Sequence, residues 1–247
     1  MKSYPLSRWT AGLGLCGASL VAPVALAATT GHVGVFSEYV FRGIVANGGV
    51  AVQGGIDHVG DSGLLAGVWA TNTAAFGGSE LDLYAGYLHK FSDTVMADVG
   101  ALYYVLSEDK ESPLYDVDGD GTIDQTDLDT LEFFATLFAG PVKLQAYYSD
   151  DYVGTDEEAF YYTATYTHKV NDTISVAGQV GYTHGDGAEY FYGDKYIDYS
   201  VMLNKTIREG LVFSLGFVDT NLKDEGAFVA TEDEPKVMIS AKQTFTF

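Results

Sequence analysis

The sequence predicts an all-β chain that closes into a transmembrane antiparallel up-and-down barrel of about twelve strands. Three observations predict it: an alternating terminal segment, a regular alternation of short and long connections, and a secretory N-terminus. In the segment 236–247, Val237, Ile239, Ala241, Phe245 and Phe247 fall on one side. Met238, Ser240, Lys242, Thr244 and Thr246 fall on the other, and only Gln243 interrupts the apolar side. A strand with one greasy face and one mostly polar face suits a wall between lipid and a lumen. Phe245 and Phe247 are the expected assembly signal, read by the barrel-assembly machinery.

Candidate strands cover 31–42, 50–59, 63–72, 80–90, 94–106, 130–139, 142–149, 158–168, 172–183, 195–206, 210–219 and 236–247. Most alternate with period two. In the fourth, Leu81, Leu83, Ala85 and Tyr87 oppose Asp82, Tyr84, Gly86 and Leu88. In the tenth, Ile197, Tyr199, Val201 and Leu203 oppose Asp198, Ser200, Met202 and Asn204. The connections at 60–62, 91–93, 140–141, 169–171 and 207–209 are tight, whereas 43–49, 73–79, 107–129, 150–157, 184–194 and 220–235 are longer and polar. With an even strand count both termini lie on the short-turn side, expected to be periplasmic, and the long loops lie outside. A soluble sandwich or lipocalin-like barrel needs no such alternation.

At the N-terminus, Lys2 and Arg8 precede an apolar stretch from Ala11 to about Ala25, and Ala25-Leu26-Ala27 is an A-x-A cleavage pattern. Residues 1–27 are read as a signal peptide and 28–247 as the barrel, with an insertion at about 107–129. Cys16, the single cysteine, lies in the signal segment and follows Leu15, which a lipoprotein site does not tolerate, so no disulfide framework is expected. Gly12-x-Gly14-x-x-Gly17 matches a dinucleotide fingerprint only literally, since no strand precedes it. No other apolar run is long enough for a spanning helix, so a membrane location requires a closed barrel.

The formal charge is −21, and losing the two cations Lys2 and Arg8 takes it to −23. Such acidity argues against nucleic acid and anionic surfaces as partners. Gly, at 29 residues, suits bends in curved strands, and Tyr, at 18, suits interfacial girdles.

Ser37-Glu-Tyr-Val-Phe-Arg-Gly43, Gln53-Gly-Gly-Ile-Asp57 and Glu80-Leu-Asp-Leu-Tyr-Ala-Gly-Tyr87, in that order and with Phe247, resemble the TorF family of outer-membrane porins. The resemblance is dense over 37–90 and diffuse beyond. It implies an outer-membrane barrel in a Gram-negative envelope and brings no catalytic residues. The stretch 107–129 looks like an insertion relative to that family.

The sharpest local motif is Asp116-Val-Asp118-Gly-Asp120-Gly121-Thr122-Ile-Asp124-Gln-Thr-Asp127. It fits an EF-hand loop: carboxylates from Asp116, Asp118, Asp120 and Asp124, a turn at Gly121, the Thr122 carbonyl, and closure by Asp127. Asp127 is one methylene shorter than the usual glutamate, which weakens bidentate closure. Ca²⁺ is the expected cofactor, with the role of stiffening a surface loop; a plain solvated acidic loop is the alternative. Further acids, among them Glu108, Asp109, Asp150, Asp156 and Glu232, crowd the same side and suggest either a mouth that enriches cations or a solvated, divalent-bridged outer surface.

Glu38, Arg42, Asp82, Asp198 and Lys242 are the lumen candidates, with Gln145 and Gln179 beside them. Glu38 and Arg42 share one face of the first expected strand. No Gly-x-Ser-x-Gly or His-Glu-x-x-His motif occurs, and no catalytic residue is assigned. The expected function is a narrow, cation-preferring passage for small solutes. The rival reading is a pore-less structural or adhesive barrel, followed by a phospholipase-type enzyme, which needs only a Ser, a His and an orienting amide on one wall.

Overall fold

The computed structural model describes residues 28–73, 78–107, 128–222 and 235–247. Its wall begins with β1 (Ala28–Phe36). A small hairpin follows, β2 (Tyr39–Phe41) and β3 (Ile44–Asn47). The wall resumes with β4 (Ala51–Val59), β5 (Leu64–Thr73), β6 (Gly78–Lys90) and β7 (Val95–Leu106). It continues through β8 (Thr130–Ala139), β9 (Val142–Ser149), β10 (Ala159–Lys169) and β11 (Ile174–His184). It ends with β12 (Tyr196–Arg208), β13 (Leu211–Thr220) and β14 (Lys236–Thr246). Each wall strand pairs antiparallel with its neighbours, and β14 returns to β1, so β1 and β4 to β14 close a twelve-stranded barrel. The seam register runs from Thr30 opposite Thr246 to Phe36 opposite Ser240. The expected signal peptide at 1–27 lies outside the described residues.

Period-two patterning sets the two faces. On β6, Asp82 and Tyr84 are buried while Leu81, Leu83 and Tyr87 are exposed. On β14, Met238 and Ser240 are buried while Val237, Ile239 and Phe245 are exposed. The outer face is therefore a continuous apolar surface. Its middle carries aliphatic side chains such as Leu83, Leu203 and Leu215. Its ends carry aromatics, with Tyr103, Tyr182, Tyr199 and Phe217 towards the long loops and Tyr87, Tyr166, Phe213 and Phe245 towards the short turns. Gln243 breaks this face at the short-turn rim, where its amide donates to the carbonyls of Glu209 (3.3 Å) and Thr244 (2.8 Å). Among the described residues, no helix is long and apolar enough to cross a membrane.

Two expected features differ. The first strand does not run to Arg42; it leaves the wall after Phe36. Ser37 still holds β14, its N–H donating to the Ile239 carbonyl at 2.8 Å. The chain then turns inward and reverses at Arg42 and Gly43, whose φ angles are positive, 47° and 85°. That pair makes the tight two-residue turn whose twist matches a hairpin. The period-two pattern of Glu38–Arg42 belongs to this hairpin, not to the wall. The second difference is that two long connections are not simply polar loops. A 3₁₀ turn at Tyr152–Gly154 and a short helix α1 (Asp186–Tyr192) fold back over the long-loop end.

Candidate functional site

The hairpin enters the lumen just inside the long-loop end and crosses it. Tyr39 packs beside Trp69 of β5, ring centroids 5.7 Å apart, and its hydroxyl donates to Glu80 Oε1 of β6 at 3.0 Å. On the other face Val40 joins Met202, Val218 and Met238 of β12 to β14. The tip approaches β12 and β13 so closely that a Cβ on Gly43 would meet Asp198 Cβ and Thr220 Cγ2, each at 2.5 Å. Glycine is required there on both counts, conformation and space.

Arg42 sits at the centre of this arrangement, 2 % exposed. Its Nη2 donates to both carboxylate oxygens of Glu132 on β8, at 2.6 Å each. Tyr104 of β7 also donates to Glu132 Oε2, at 2.9 Å. Rings surround the guanidinium: its Cζ lies 4.6 Å from the Tyr161 centroid, 4.7 Å from Phe41, 5.5 Å from Tyr147 and 5.8 Å from Tyr152. Cation–π attraction is strongest where water is excluded, as here. The wall supplies more acid than this one cation uses. Asp82 is fully buried and faces Glu80 and Glu132. Asp198 accepts from the Tyr161 hydroxyl at 3.3 Å and lies within electrostatic reach of Arg42.

A lid covers the hairpin from the long-loop side. Tyr152, Val153, Ala188, Phe191, Tyr192 and Tyr196 pack with Ile44 of the hairpin and with Leu128. The Tyr152 and Tyr192 hydroxyls lie 2.8 Å apart. Burial above all holds both phenols well above the ordinary value, so they stay neutral hydrogen-bonding groups. Between lid and hairpin remains a cavity of about 30 Å³, lined by Phe41, Glu80, Tyr104 and Thr130 among others. That holds about one water.

Below the hairpin, towards the short turns, the lumen is polar. Tyr84 donates to Asp57, and His32 Nδ1 lies 3.8 Å from Asp57 Oδ2. Ser214 donates to Asn204 Oδ1 at 2.7 Å, and Thr165 to Gln179 Oε1 at 3.1 Å. Lys242, facing in from β14, feels the charge of Asp57. Asp98 and Thr136 face each other across β7 and β8, and the buried Thr163 hydroxyl has no protein hydrogen-bond partner among the described residues. Such a group is ordinarily satisfied by water or a bound solute.

Of the lumen candidates, Asp82, Asp198 and Lys242 face inward from the wall, whereas Glu38 and Arg42 belong to the hairpin segment. Asp116, Asp118, Asp120, Thr122, Asp124 and Asp127 lie outside the described residues. The last residues of that connection are described: Asp129 accepts from the Leu106 N–H at 2.9 Å and from the Tyr103 hydroxyl at 3.0 Å. Phe245 is half exposed on the outer face, and the Phe247 N–H donates to the Thr29 carbonyl at 3.0 Å across the seam. Sequence reasoning passed over Glu132. The available signal was a single acid on the inward side of the run Leu131-Glu-Phe-Phe-Ala135.

Solved structures share this barrel. The KdgM porin superposes with a TM-score of 0.53 at 8% identity, over 89% of this chain and 99% of that one. The NanC porin gives 0.54 at 10%, over 89% and 100%. An outer membrane channel from Pseudomonas putida F1 gives 0.56 at 11%, over 94% and 99%. At such identities the likeness shows the fold alone. Among curated proteins no match is found. A family model described as "Bacterial protein of unknown function (Gcw_chp)" matches residues 21–247, and the chain belongs to that family.

Proposed function

We propose that the chain is an outer-membrane barrel of the porin type, with a narrow, cation-preferring passage for small solutes that the hairpin closes in the conformation described. The observation that carries this reading is a closed barrel that is apolar between two aromatic girdles outside and polar within. In hydrocarbon every backbone polar group must be paired, and a closed wall does that. The resemblance to the TorF porins over 37–90 agrees, as does the porin fold of the structural neighbours. Short turns and both termini then face the periplasm, long loops face outward, and Phe245 and Phe247 guide insertion by the barrel-assembly machinery.

Cation preference rests on charge. The buried acids among the described residues are Asp57, Glu80, Asp82, Asp98, Glu132 and Asp198, against Arg42 and the inward-facing Lys242. One KdgM structure is a complex with oligogalacturonate, an acidic chain. The acid-rich interior of this barrel would repel such a solute. Planar-bilayer recordings test the reading. Wild type should show small, intermittent, cation-selective openings, weaker in selectivity at high salt. Replacing residues 38–48 by a short Gly-Ser linker should enlarge the conductance. The packed lumen favours one other reading, a pore-less structural barrel, and silence from both proteins would establish it.

The Asp116–Asp127 loop is proposed as an external Ca²⁺ site of weak, extracellular-type affinity, roughly 10⁻⁴–10⁻³ M. Calcium should protect 107–129 from protease, magnesium should do so poorly, and Asp116→Ala with Asp120→Ala should abolish the protection without affecting barrel assembly. Calorimetry that finds no binding up to several times that range would reduce the loop to a solvated acidic segment.

A further inference from the structure

We infer that the socket holding the Arg42 guanidinium is a binding site for small organic cations of the guanidinium class, which compete with Arg42 for it. As the route by which a solute displaces the hairpin and enters the passage, the inference rests on the porin reading; as a binding site it does not.

The socket is built mainly from the wall. Glu132, Tyr104, Tyr147 and Tyr161 stand on β7 to β10 and stay behind when the hairpin leaves; of the close partners only Phe41 travels with Arg42. What remains is a carboxylate held by a tyrosine hydroxyl at 2.9 Å and flanked by aromatic faces. Aromatic faces beside an acid attract a planar, weakly hydrated cation. The present occupant demonstrates the fit, with two contacts of 2.6 Å to Glu132 and a ring centroid at 4.6 Å. Arg42 is thus an internal ligand carried on a hairpin.

Charge makes the exchange obligatory. Glu132 is 1 % exposed and Asp82 is fully buried. If the guanidinium withdraws, Glu132 loses its close cation in a poorly solvated interior, which costs several kcal/mol for an uncompensated ion. An entering cation removes that cost; a neutral solute does not, and an anion worsens it. A divalent metal is a poor substitute. No cluster of three acids or histidines converges as a metal site among the described residues. Aromatic walls cannot replace the water a small hard ion must shed.

The test uses the folded full barrel in detergent, with methylguanidinium as probe and urea as its neutral, similarly planar control. In Arg42→Asn the turn keeps a residue that accepts positive φ, but the socket is vacated. This variant should bind methylguanidinium at least about tenfold more tightly than wild type, and adding Glu132→Gln should weaken that binding by about tenfold or more. Equal affinity for methylguanidinium and urea, or indifference to Glu132→Gln, overturns the inference. Wild type supplies a test that needs no variant to fold: methylguanidinium should speed amide exchange across Tyr39–Asn47 while urea at the same concentration does not. Equal effects of the two overturn the site. Bilayer recordings separate the two readings. Binding with silent bilayers upholds the site and removes the passage; conduction without methylguanidinium block or selection upholds the passage and removes the solute-displacement role.

Discussion

At the scale of single residues, the buried pair Arg42–Glu132 is better understood as a specifier than as a source of net stability. Burying two charges costs nearly what their attraction returns. Removing one partner is a different matter. Glu132→Gln leaves a buried guanidinium without its counter-charge and should weaken hairpin docking by about 3–5 kcal/mol. Gly43→Ala acts on the same contact by another route. It places a Cβ against Asp198 and Thr220 in a backbone region that costs non-glycine residues about 1–3 kcal/mol. Both variants should make Tyr39–Asn47 susceptible to protease and fast in amide exchange, while the wall strands keep their protection. Loss of wall protection in Glu132→Gln would show that the pair holds the barrel itself. Legibility at this scale was uneven. Asp82, Asp198 and Lys242 could be placed on an inward face because alternation decides direction on a strand. Arg42 could be singled out, but its partner could not, because Glu132 is distant in sequence and its pairing depends on how far the hairpin reaches.

Elements show a sharper division. Eleven wall strands follow from alternation and turn chemistry with ends shifted by a residue or two. The turn at Asn171, for instance, is fixed locally, its side-chain oxygen accepting from the N–H groups of Thr173 (2.9 Å) and Ile174 (3.0 Å). The first strand was overextended because Glu38–Arg42 alternates as well as any wall strand does. Only the Arg42-Gly43 turn distinguishes the two cases, and arginine is not a residue that advertises positive φ. The lid was read as polar loop because its aromatics, Tyr152, Phe191 and Tyr192, are set among acids and glycines. Its helix has 7 residues and could not persist alone. Packing must therefore hold it. Phe191→Ala should cost about 3–5 kcal/mol locally and loosen the 3₁₀ turn together with α1, since Phe191 meets Tyr152 edge-on at 6.0 Å. Hydrogen exchange confined to α1 alone would show that the two halves of the lid are independent.

For the whole molecule, barrel closure could be read from the alternation of connections, because an even strand count with termini on one side admits few other arrangements. The contents of the barrel could not be read, because an inward-facing residue looks the same in sequence whether it meets water or another part of the chain. Those contents have a calorimetric consequence. The outer wall exchanges little contact with water when the interior loosens, since detergent or lipid covers it before and after. The hairpin and lid, by contrast, hold a small globule of Tyr39, Phe41, Tyr104, Tyr152, Phe191 and Tyr192 that water would newly wet. Hydration of apolar surface raises heat capacity. A scan of the folded protein should therefore show an early, low-enthalpy transition with a positive heat-capacity step, followed by collapse of the wall. Glu132→Gln should move the first transition down and leave the second in place, while a single transition shifted as a whole would mean that wall and contents melt as one body.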